Sequence, residues 1–83
     1  MLILKLKALA DDTRLQIINI LFLGQKKVSE ITKALGKTQP TTSIALKQLL
    51  YAGIINQEKK GKNVYYELKD KENIKKVFEL LKK

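Results

Sequence analysis

The chain has 83 residues, 45% of them hydrophobic, and its 17 basic against 8 acidic side chains leave a formal charge of +9. That length holds one domain at the small end of what a hydrophobic core sustains, and the charge points to a polyanionic partner such as nucleic acid or an anionic membrane surface. With no Cys and no His, disulfides, thiolate redox sensing, the usual zinc sites and any His base or Cys nucleophile are excluded.

At the start of the chain, Leu2, Ile3, Leu6, Leu9 and Ala10 fall on one side of a short amphipathic helix, with Lys5 and Lys7 opposite. The segment is too short and too charged for a signal sequence or a membrane span, so the protein is expected in the cytoplasm. Asp11 and Asp12 interrupt the pattern and restart it, because a carboxylate there caps orphan amides and opposes the positive end of the next helix dipole. From Thr13 to Leu23 the residues Leu15, Ile17, Ile18, Ile20, Leu21, Phe22 and Leu23 cover most of the circumference. That distribution predicts a core helix buried on several sides and closed by Gly24. Gln25 to Lys27 form a short connection with an extended residue able to pair into a later sheet.

The stretch from Val28 to Ile54 predicts two short helices across a tight turn. In the first, Val28, Ile31 and Leu35 recur at helical spacing, Ser29 is the expected N-cap and Gly36 the stop. Thr38 then offers a hydroxyl to cap the second, Pro40 sits in its first turn where a missing N–H costs nothing, and Gly53 ends it. Thr42, Ala45, Leu46 and Leu49 make the inward stripe; Gln39, Thr41, Ser43, Ile44, Lys47 and Gln48 face out. This is the helix-turn-helix pattern, whose second helix is the one expected to enter the major groove of DNA.

Ile54 to Lys59 and Val64 to Leu68 read as strands, and the intervening KKGKN carries the Gly and Asn of a tight hairpin. The basic tip, Lys60, Gly61, Lys62 and Asn63, makes the hairpin a wing placed to reach backbone or minor groove beside the recognition helix. Sixteen of the 17 basic residues are Lys, a choice that favours phosphate neutralisation over bidentate reading of guanine. Asp70 caps a last helix, Lys71 to Leu81, with Ile74, Val77, Phe78 and Leu81 on one stripe and Lys75, Lys76, Lys82 and Lys83 opposite. The stripes of the first and last helices exceed what so small a core absorbs. Leu2, Ile3, Leu6, Leu9, Ile74, Val77, Phe78 and Leu81 are therefore the expected two-fold interface, with packing inside one protomer as the alternative.

The segments LKALADDTRLQIINIL, VSEITKALGKTQPTTSIALKQLLYAGII and GKNVYYEL resemble the ArsR/SmtB-like winged-helix transcriptional regulators over nearly the whole chain. The resemblance implies a mainly α (α+β) winged helix-turn-helix domain over 1–83 with about five helices and a two-stranded wing. It also implies a homodimer that binds double-stranded DNA through paired recognition helices and wings. The DNA-binding residues on this reading are Lys37, Thr38, Gln39, Thr41, Ser43, Ile44, Lys47, Gln48, Lys60, Lys62 and Asn63. Ile44 and Ala45 depart from the polar or basic residues many members have, and Ile44 offers only apolar contact, for instance to a thymine methyl. Where many members carry metal-binding Cys, this chain has Val28, Ser29 and Glu30, and its last helix has no His, so neither metal nor cofactor is expected. A winged helix used as a protein- or RNA-binding module is the competing reading; an enzyme is not expected.

Overall fold

The computed structural model describes residues 11–81. Its elements in chain order are α1 (Asp12–Leu21), β1 (Lys26–Lys27), α2 (Val28–Leu35), α3 (Gln39–Tyr51), β2 (Ile55–Lys60), β3 (Asn63–Leu68) and α4 (Lys71–Leu81). The expected first helix, with Leu2, Ile3, Leu6 and Leu9, lies outside the described residues, which hold four helices and a three-stranded antiparallel sheet of order β1-β3-β2.

Helix starts follow their caps. Asp11 accepts from the Arg14 amide at 3.1 Å, Thr38 Oγ1 from the Thr41 amide at 3.4 Å, and Asp70 Oδ1 from the Asn73 amide at 3.3 Å. The expected Ser29 cap is corrected: α2 begins at Val28, and Lys27 is its cap residue. Pairing in β1 holds Lys27 extended, and Glu30 reaches back to accept from the Lys27 amide at 2.9 Å, one half of a capping box. Gly36, at φ 68°, lets Lys37 donate back to the Thr32 carbonyl at 3.4 Å and its own amide to Lys33 at 3.2 Å. Those paired bonds form a Schellman closure, repeated at the end of α3 by Ile54 to Leu49 and Gly53 to Leu50.

The hairpin pairs Ile55 with Leu68 through Lys60 with Asn63, which leaves Gly61 and Lys62 as its loop. Gly61 has φ 62° and no other described residue but glycine has positive φ, the pattern of a type II′ turn with its glycine first. Asn63, expected at the tip, is the first residue of β3. β3 is the middle strand because Lys26 and Lys27 pair with Tyr66 and Tyr65 on its other side.

The core gathers Ile17, Ile18 and Leu21 of α1, Ile31 of α2, Ala45, Leu46 and Leu49 of α3, then Ala52, Ile54, Ile55 and Ile74. Thr42, fully buried beside them, returns its hydroxyl to the Thr38 carbonyl at 3.1 Å. α1 stops at Leu21, short of the expected Leu23, which is 80% exposed beyond a tightened last turn. On α4, Ile74 is buried in the core, while Val77 and Phe78 are half-buried against it. Phe78 meets Phe22 edge to face, with ring centroids 5.6 Å apart. The Leu81 side chain lies outside what is described.

Candidate nucleic-acid interface

The inward stripe of α3 is buried as its spacing predicts, and this fixes what the helix presents outward. Lys37, Thr38, Gln39, Thr41, Ile44, Lys47 and Gln48 are exposed, and Ser43 is half-buried. The cap, with Pro40 in the first turn, makes the N-terminal end of α3 a rigid start, and Thr38 also donates its hydroxyl to Thr41 Oγ1 at 3.0 Å. Lys37 reaches back to α1, its Nζ donating to Thr13 Oγ1 at 2.6 Å. An ammonium has three donors, so this bond aims Lys37 and leaves donors for a phosphate.

On the wing, Lys60, Lys62 and Asn63 are all exposed, but the two lysines differ in their partners. Lys60 Nζ donates to Gln25 Oε1 at 2.6 Å, lies 3.6 Å from Glu58 Oε1 and sits 5.3 Å over the Tyr65 ring. Gln25 in turn donates from Nε2 to Glu58 at 2.8 Å and to Glu67 at 2.6 Å. Strand alternation puts Glu58, Lys60, Tyr65 and Glu67 on one face of the hairpin, and Gln25, at the end of the α1–β1 connection, clasps them together. The Gln25 amide, and after it the Lys60 ammonium, holds the Glu58 carboxyl below the usual carboxylate range. Lys62, at the second loop position, is the tip cation aimed into solvent.

Two contributors carried no local sequence signal. Gln25 acts through partners 33 and 42 positions away, and Arg14 on α1 donates from Nη1 to Gln48 Oε1 at 2.5 Å across 34 positions. The one hint was that Arg14 is the sole arginine in a lysine-rich chain. Among the described residues no group of acidic side chains is placed to hold a metal ion, and no helix is long and apolar enough to cross a membrane.

Comparison with known proteins places this arrangement. Residues 11–57 match the profile of the bacterial regulatory protein, arsR family. The arsenical resistance operon repressor of Bacillus subtilis is 42% identical over 69 residues, covering 82% of this chain and 66% of that one. HlyU from Vibrio cholerae superposes with a TM-score of 0.83 at 34% identity, over 95% of this chain and 85% of that chain. The homodimeric winged helix-turn-helix DNA-binding domain of Mb0332 from Mycobacterium bovis does so with a TM-score of 0.81 at 33% identity, over 92% and 69%. The chain spans between 49% and 66% of the length of the first curated relatives it matches. With the matched segment running from the cap of α1 into β2, the chain has the winged helix-turn-helix fold and belongs to the bacterial regulatory protein, arsR family.

Proposed function

We infer that the protein is a sequence-selective, double-stranded DNA-binding transcriptional regulator, a repressor that acts in the cytoplasm as a homodimer. The observation that carries this is the outward face of α3, polar to basic and rigidly capped, on a chain of net charge +9 that also presents a lysine-tipped hairpin. In this reading α3 enters the major groove and reads base edges from Gln39, Thr41, Ser43, Ile44 and Gln48. Lys37, Lys47, Lys60, Lys62, Thr38 and Asn63 hold backbone and minor-groove phosphates and sugars. Family membership supports it, as do two relatives: one is an operon repressor, another a homodimeric DNA-binding domain.

The dimer contact is assigned to α4, through Val77 and Phe78, together with the N-terminal apolar residues Leu2, Ile3, Leu6 and Leu9. Ile74 serves the protomer's own core. No catalytic step belongs to this reading.

The test is selection of bound duplexes from a random pool, followed by titration on the enriched sequence across salt. Selective binding whose affinity falls by orders of magnitude from low to physiological salt is expected, with half-sites spaced for two copies. Lys62→Ala should weaken all duplexes alike and reduce the salt slope by about 1, whereas Gln39→Ala or Thr41→Ala should change which sequence is preferred. Salt-insensitive binding, or equal preference for duplex RNA, would contradict the assignment.

A further inference from the structure

One exposed line of α3 runs Thr41, Ile44, Gln48 and Tyr51 at helical spacing. Ile44 is the odd member: a branched aliphatic side chain 60% exposed beside hydroxyl, amide and lysine neighbours. One turn on, Gln48 has no free choice of orientation, because Arg14 Nη1 donates to its Oε1 at 2.5 Å. A guanidinium has donors and no acceptor, so only the oxygen end of the amide can face it. The NH₂ end of Gln48 is thereby turned away from Arg14, and α3 carries an apolar group and a hydrogen-bond donor one turn apart. Residues at this spacing have Cβ atoms about 5–6 Å apart.

Resting on the DNA-binding reading above, we propose that Ile44 and Gln48 together read the major-groove edge of a thymine, with Arg14 as the residue that positions Gln48. Among the bases thymine alone sets an acceptor, O4, beside a methyl group, on C5. The pair matches that edge with a donor and an apolar surface. The usual glutamine partner, adenine, takes both ends of the amide at once; with the oxygen turned toward Arg14, the end left to meet a base is the donor, which matches thymine O4 and opposes the adenine N6 donor. Cytosine presents a donor at the same place, and guanine has acceptors but no methyl. Exposed Lys37 and Lys47 on either side of Ile44 in sequence supply charge for the flanking phosphates.

The test uses the full chain and a duplex selected from the random pool, with each thymine replaced singly by deoxyuridine, which removes the 5-methyl and nothing else. One position per half-site should lose about three- to fivefold in affinity, the worth of one buried methyl. At that position Ile44→Ala should bind thymine and uracil alike. Gln48→Glu, which puts an acceptor where the donor was, should move the preference there to 5-methylcytosine, while Arg14→Ala should admit adenine there and leave the preferences elsewhere unchanged. Uracil that is silent at every thymine of a selectively bound operator overturns this inference and leaves the DNA-binding reading standing. Discrimination that persists in Ile44→Ala does the same. A pool from which no duplex is enriched removes both.

Discussion

Lys60 and Lys62 differ by two positions and by everything around them. Lys60 lies on a strand face among Gln25, Glu58 and Tyr65, while Lys62 occupies the loop. A carboxylate held low in the folded chain contributes stability in full above its usual value near 4.5, and that contribution is lost as pH falls through the lowered value. The Glu58 contacts of the clasp are therefore at full strength at neutral pH and weaken only in acid. In a carboxyl-carbon NMR titration Glu58 should have a midpoint below the ordinary value, and Gln25→Ala and Lys60→Ala should each raise it. A second residue-scale prediction concerns Thr32, whose Oγ1 is buried without a hydrogen-bond partner. Thr32→Val keeps the shape and removes the stranded hydroxyl, so it should stabilise by about 1 kcal/mol. Thermal melting should show this as a rise of about 4–8 °C for a domain of this size.

The elements themselves were largely legible, because three of the four described helices announce themselves with a short polar residue before an apolar period. Asp11, Thr38 and Asp70 all cap as expected, and the α3 stripe of Thr42, Ala45, Leu46 and Leu49 is buried as a set. Ser29 misled because its type suits a cap, whereas tertiary pairing of Lys26 and Lys27 with β3 decides where α2 begins. The hairpin turn was legible in kind but not in register: Asn63 pairs with Lys60 and leaves Gly61 to supply the positive φ alone. A Cβ at Gly61 would meet no atom within 4 Å, so the cost of Gly61→Ala is conformational rather than steric crowding. It should destabilise by about 1–2 kcal/mol in urea melts. The exposed face of α3 could be read from period alone. The Gln25 clasp and the Arg14 brace could not, since they arise where segments more than 30 positions apart are brought together by the packed core.

At the scale of the whole molecule, a described core of eleven hydrophobic residues is a slender basis for a chain carrying +9. Self-repulsion weakens such a compact state, and a second subunit adds buried area that the single protomer lacks. If the homodimer is the working form, its melting temperature rises with protein concentration, because association favours the folded state by mass action. Diluting the protein a hundredfold should lower the melting temperature, and sedimentation should give about twice the 9.5 kDa chain mass at the higher concentration. Phe78→Ala should abolish the concentration dependence; it also loses the edge contact to Phe22, so the comparison is made at matched fraction folded. In the β1-β3-β2 order β3 has a hydrogen-bonded neighbour on each side. Held on both sides, the central strand behaves as a hinge pin rather than a free flap: swinging the hairpin tip sideways must twist the short leash between α1 and α2. In the proposed DNA complex a load on the wing would be delivered to the base of α2, so that wing and motif would seat together.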